Sequence, residues 1–143
     1  MAADGSTRRV SVVHLVHRAA QRADELFASI APGLSPRKFE VLRAVAHAEG
    51  ASQTAIMAAT GIDRSSTASL VAALVRAGLL RRRRTRRDNR TYAVRLTDKG
   101  HEVLEQTEPL AKQVDQMFLA PLKPKEGVDL VRSLEHLARE AGD

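Results

Sequence analysis

The stretch Ser52 to Thr97, SQTAIMAATGIDRSSTASLVAALVRAGLLRRRRTRRDNRTYAVRLT, decides the fold of this 143-residue chain. Ser52 is placed to cap a helix over Gln53 to Thr60, with Ile56 and Ala59 facing inward. Gly61 supplies a tight turn, and Asp63 caps a second helix over Arg64 to Ala77, stopped by Gly78. Leu70, Val71 and Leu74 form the buried side of that second helix. Two helices joined by a short turn containing glycine make a helix-turn-helix. Leu80 to Arg84 and Thr91 to Leu96 then read as two strands around a loop Thr85 to Arg90. Tyr92, Val94 and Leu96 alternate with Thr91, Ala93 and Arg95, the period of a half-buried strand. A hairpin in this position is a wing.

The same stretch holds the positive charge of the molecule. From Arg76 to Arg95 there are nine arginines against one acid, Asp88, a balance of +8. The whole chain carries +6, so everything outside this segment sums to −2. Charge concentrated in this way points to a polyanion.

Helical spacing continues outward on both sides. Val12, Val13, Val16, Ala19, Ala20, Ala23, Phe27 and Ile30 mark a helix from about Arg8 to Ile30, with Arg18, Arg22 and Glu25 opposite. At ~30 Å for about 20 residues, that helix is longer than a small globule needs, which suggests a partner subunit packed against it. Ser35-Pro36 opens the next helix, with Phe39, Leu42, Val45 and Ala46 inward and Glu49-Gly50 at its end. Thr97 caps a long helix from Asp98 to about Leu119, in which Pro109 is expected to bend or weaken one turn. A last helix carries Val128, Val131, Leu134 and Leu137. The expected fold is mainly α with a small β-hairpin wing: a winged helix-turn-helix over residues 35–97, flanked by dimerisation helices over 8–34 and 98–143.

Composition narrows the function classes. Four aromatic residues in the whole chain (Phe27, Phe39, Tyr92 and Phe118) argue against recognition of single strands by base stacking. Without cysteine there is no disulfide scaffold, thiolate metal site or thiol redox sensor in this chain. No apolar run reaches membrane-spanning length and the start MAADGSTRRV lacks a signal-peptide core, so the chain is read as cytoplasmic with no membrane partner. No acidic metal cluster or nucleophile–base pair stands out. An enzyme is therefore not expected, nor a cofactor or a bound metal.

Double-stranded DNA is the expected partner. The second helix of a helix-turn-helix presents its N-terminal residues to the major groove, here Arg64, Ser65, Ser66, Thr67 and Ser69. Short hydroxyl side chains permit close approach, and arginine reads guanine bidentately. Ser52, Gln53 and Thr54 sit at a helix start whose free N–H groups favour phosphate. The wing residues Arg86, Arg87, Asn89 and Arg90 suit a minor groove. Asp88 is read as a brace for Arg82 or Arg90.

Gly78-Leu79, Arg82-Arg83, Asp88-Asn89-Arg90, Val94-Arg95-Leu96-Thr97 and Gly100 together resemble the MarR (multiple antibiotic resistance regulator) family of winged-helix transcription factors. The upstream LSPRKFEVLRAVA resembles that family's second helix. The resemblance implies a homodimer with interlocked terminal helices, bound to a palindromic operator near a promoter. It also places Ser65, Ser66 and Ser69 in the major groove and Arg86, Asn89 and Arg90 at the wing. Many members carry Thr-Arg where this chain has Ala68-Ser69, which shifts base readout toward Arg64, Ser65 and Ser66 or toward DNA shape.

The resemblance further implies repression relieved by a small aromatic or acidic ligand, of phenolic-acid or acyl-CoA type. That ligand would sit between the first, second and fifth helices, where His14, His17, Arg18, Arg37, Arg43 and His47 are the candidate polar contacts. The alternative is a constitutive, architectural DNA-binding protein without an inducer.

Overall fold

The computed structural model describes residues 9–85 and 88–140, with the backbone path alone for 85 and 88–91. One local rule sets the start of each of the first five helices: a side-chain oxygen accepts from the backbone N–H three residues on. Ser11 does so for α1 (Val12–Ile30) at 3.1 Å and Ser35 for α2 (Pro36–His47) at 3.2 Å. Ser52 caps α3 (Gln53–Thr60) at 3.1 Å and Asp63 caps α4 (Arg64–Arg76) at 2.8 Å. Thr97 caps α5 (Asp98–Leu119) at 3.0 Å. The hairpin β1 (Leu80–Thr85) and β2 (Asp88–Leu96) lies between α4 and α5, and α6 (Pro124–Glu140) closes the order. Pro109 is accommodated within α5, which is continuous through it.

Gly61 ends α3 with a left-handed φ of +71°, and its N–H donates to the Met57 carbonyl at 2.8 Å. A side chain at this position would be strained, so glycine is what permits the three-residue turn 61–63 into α4. Val41, Leu42, Val45, Ile56, Leu74, Leu80 and Val94 pack beneath the turn as the fully or almost fully buried centre of the core. Ala59, expected inward, is exposed, because the eight-residue α3 turns only Ile56 fully toward that centre.

The hairpin pairs antiparallel, Leu80 with Leu96, Arg82 with Val94 and Arg84 with Tyr92. The strands run further than expected. Thr85 pairs with Asp88 after a register shift beyond Arg84, so backbone pairing enters the stretch read as the loop Thr85 to Arg90. Ala51 adds a single antiparallel bridge to Val94: Val94 N donates to Ala51 O at 2.9 Å, and Gly50 N donates to Val94 O at 3.0 Å. The start of α3 is thereby tied to the wing.

The terminal helices leave most of their apolar stripes uncovered. In α1 only Phe27 is buried, while Val12, Val13, Leu15 and Val16 are between 51% and 75% exposed. In α6, Val128, Val131, Leu134 and Leu137 are between 42% and 61% exposed. Within one chain, α5 covers the C-terminal part of α1 and leaves the rest open. Arg22, expected on the solvent side of α1, instead donates to the carbonyls of Phe118 at 2.7 Å and Met117 at 3.0 Å. It closes the C-terminal end of α5 and lies 5.1 Å from the Phe118 ring centroid.

Candidate nucleic-acid interface

The candidate surface is assembled from three elements. Asp63 ends the turn and holds the first turn of α4 by accepting from Ser66 N–H at 2.8 Å. That backbone bond, helped by the Ser66 hydroxyl, holds the Asp63 carboxyl below the usual carboxylate range. Arg64, Ser65 and Ser69 are exposed on the helix start, and Ser66 is half-buried. Gln53 Nε2 donates to the Arg64 carbonyl at 3.3 Å, fixing the start of α3 against the start of α4.

Between those two helix starts and the wing runs a polar crevice of about 270 Å³, lined among others by Ser52, Thr54, Arg64, Arg82 and Tyr92. Tyr92 is 39% exposed at its rim. The Arg82 and Arg84 guanidinium carbons stand 5.7 and 5.9 Å from its ring centroid, close enough for cation–π attraction. In the sequence Tyr92 is one position of an alternating strand and one of four aromatic residues. The signal that its ring faces two arginines was in the strand period, since residues opposite or two apart share a face.

Thr67 is corrected. It is completely buried, with its hydroxyl donating to the Ile62 carbonyl at 3.3 Å, so it holds the turn together from inside rather than facing a groove. Its neighbours Ser66 and Ala68 occupy other faces of the helix, as a 100° step per residue requires. Arg86 and Arg87 lie outside the described residues, as do the side chains of Asp88, Asn89 and Arg90 and therefore the expected brace.

The six candidate effector contacts are not gathered into one place. His14, His17 and Arg18 are exposed along α1. Arg43 is half-buried between Glu40 at 3.3 Å and Glu108 at 3.5 Å, over the Phe39 ring. His47 is exposed, with Nδ1 3.0 Å from the Arg43 carbonyl. Arg37, on α2, lines a separate groove with Glu40 and the α3–α4 turn. A larger, apolar groove of about 740 Å³ opens between α1, α5 and α6, lined by residues such as Val16, Ala20, Phe118, Val131 and Leu134 and by none of the six. The 96-residue separation between Arg22 and Phe118 shows how little of this arrangement sequence neighbours reveal.

A helix-turn-helix with its second helix start exposed, a wing beside it and cations along both defines a winged-helix DNA-binding protein. Comparison with known proteins makes the class specific. A model of the MarR family matches residues 33–91. The transcriptional regulator HosA of Escherichia coli O157:H7 is 32% identical over 106 residues, covering 72% of this chain and 78% of HosA. Across the curated relatives it matches, the chain spans from 57% to 78% of their length. The PcaV transcriptional regulator from Streptomyces coelicolor, solved with its natural ligand, superposes with a TM-score of 0.85 at 30% identity, covering 99% of both chains. Bordetella bronchiseptica BpsR, whose DNA binding is regulated by 6-hydroxynicotinic acid, superposes with a TM-score of 0.81 at 30% identity, covering 89% of this chain and 98% of that one. The chain belongs to the MarR family of DNA-binding transcriptional regulators. Among the described residues, no helix is long and apolar enough to cross a membrane.

Proposed function

We propose that the protein is a homodimeric repressor of a nearby promoter, bound to a palindromic operator and released by a small aromatic or acidic ligand. The observation that carries this reading is the division of its surface. Apolar side chains stand exposed on α1 and α6, while polar and cationic side chains stand exposed at the starts of α3 and α4 and along the wing. Exposed stripes on two terminal helices are costly for a monomer and suit a second copy of the same stripes. On this reading residues 8–34 and 98–143 form the dimer, and 35–97 are held by it at half-site spacing. Arg64, Ser65, Ser66 and Ser69 face the major groove, Ser52, Gln53 and Thr54 the backbone, and Arg86, Arg87, Asn89 and Arg90 the minor groove.

The ligand-bound PcaV and the regulation of BpsR by an aromatic acid support a ligand-responsive regulator. On this reading His14, His17, Arg18, Arg37, Arg43 and His47 are the candidate effector contacts. The test is fluorescence anisotropy of the protein on its own promoter region, titrated with phenolic acids, hydroxypyridine carboxylates and their thioesters. Release by one of these, with saturation, supports the reading. Operator binding that none of them weakens favours a constitutive, architectural binder. Leu134→Arg, at an exposed position on α6, is expected to shift the sedimentation mass from dimer to monomer.

A further inference from the structure

The hairpin register divides the arginine run between two faces. Paired residues share a face, and so do residues two apart. Leu80, Leu96, Val94, Tyr92, Arg82 and Arg84 therefore occupy one side, with the leucines and Val94 buried in the core, Arg82 and Tyr92 at the crevice beside α4, and Arg84 over the Tyr92 ring. Arg81, Arg83, Ala93 and Arg95 occupy the other side, and all three of these arginines are exposed. Arg81 and Arg95 are direct cross-strand partners. Like charges placed opposite each other destabilise a strand pair, so this arrangement works against the hairpin's own folding. Among the described residues no carboxylate lies within ion-pair distance of Arg81, Arg83 or Arg95. Nearby, the Glu49 carboxylate is engaged by His101 at 3.3 Å, while Arg95 itself lies over Gly50.

We infer that the outer face of the hairpin is a second duplex-DNA contact, in which Arg81, Arg83 and Arg95 take backbone phosphates flanking the operator. The inference rests on the DNA-binding reading above and extends it outward. The inner face of the wing looks onto α4 and the duplex that α4 reads. The outer face is turned the opposite way, and on this inference it meets the next stretch of that duplex. Three guanidinium groups without a counterion among the described residues are matched to successive phosphates rather than to a single small anion.

The experiment compares two duplexes, a minimal operator and the same operator extended by about 10 base pairs on each side, across a salt series by anisotropy. Wild type is expected to bind the extended duplex more tightly and with a steeper salt slope. The R81Q/R83Q/R95Q variant is expected to bind the minimal operator nearly as wild type does, yet to lose the gain from extension. At about 0.9 in log–log slope per phosphate, three contacts amount to about 2.7 per hairpin. Between 50 and 200 mM salt that slope is about a 40-fold change in affinity. R81K/R83K/R95K, which keeps the charge, is expected to keep the extension gain, and thermal melting reports whether either variant is folded. A folded glutamine variant whose extension gain and slope equal those of wild type overturns the inference, as does equal wild-type affinity for the two duplexes. Wild type that binds neither duplex refutes instead the DNA-binding reading on which the inference rests.

Discussion

Gly100→Ala sets two physical effects against each other at the joint between α5 and the wing. Alanine is the better helix former by about 1 kcal/mol, so propensity alone predicts a more stable protein. The structure predicts the opposite. A Cβ on Gly100 overlaps the Leu79 carbonyl oxygen and lies 3.1 Å from both the Leu79 carbonyl carbon and Leu96 Cδ2. The oxygen it meets belongs to backbone, which cannot rotate away as a flexible side chain can. That same oxygen accepts from Thr97 N–H at 3.1 Å, and Leu79 and Leu96 are both buried. Relieving the overlap means pushing α5 off the hairpin. Overpacking costs about 1–3 kcal/mol, and weakening one buried hydrogen bond adds about 1 kcal/mol. Against the propensity gain, the net loss is about 1–3 kcal/mol. With about 2.1 cal/mol/K of unfolding entropy per residue, 143 residues give about 0.3 kcal/mol/K, so Tm should fall by about 3–10 °C. The assay is differential scanning calorimetry at fixed protomer concentration, because association makes Tm concentration-dependent. A Tm equal to or above that of wild type would refute the close approach of α5 to the α4–β1 joint.

Three other perturbations probe separate parts of the argument. Thr67→Val removes a buried hydroxyl at constant shape and is expected to cost about 1 kcal/mol by chemical denaturation while leaving operator affinity unchanged; a tenfold loss of affinity in a folded variant would return Thr67 to the DNA surface. Arg22→Met keeps an apolar stem but abandons the carbonyls of Phe118 and Met117, with an expected loss of about 1–2 kcal/mol in urea unfolding; no measurable loss would mean that the α1–α5 joint does not depend on them. Because the Asp63 carboxyl is held below its ordinary value, its contribution to stability is present above the unfolded pKa of 3.8 and is lost as pH falls through the folded one. Asp63→Asn keeps a capping oxygen without the titration, so its stability is expected to vary less steeply below about pH 4; identical acid limbs for the two proteins would contradict the cap.

What the sequence determined by itself is local in origin. Whereas the Ser11 cap lies inside the helix expected from about Arg8 and moves its start to Val12, Ser35, Ser52, Asp63 and Thr97 each bond to a backbone N–H only three residues away, so a cap is legible wherever the residue type and the following apolar spacing agree. The same holds for the Gly61 turn and for the alternation that buries Val94 and Leu96. Those features sufficed for a winged helix-turn-helix and for the exposed Arg64, Ser65 and Ser69. Tertiary structure decided everything that depends on residues far apart in the chain. Backbone pairing carried the strands past Arg84 into the expected loop, since the ladder bonds belong to the main chain and not to side-chain type. Core packing took Thr67 inside, and the fold set Arg37 of α2 beside the α3–α4 turn. Arg22 meets a carbonyl 96 residues later, and Gly100 meets Leu79, because α5 returns across the elements that precede it. Periodicity tells which face of a helix is apolar, but what covers that face is a property of the assembled surface. The exposed stripes of α1 and α6 are that distinction made visible.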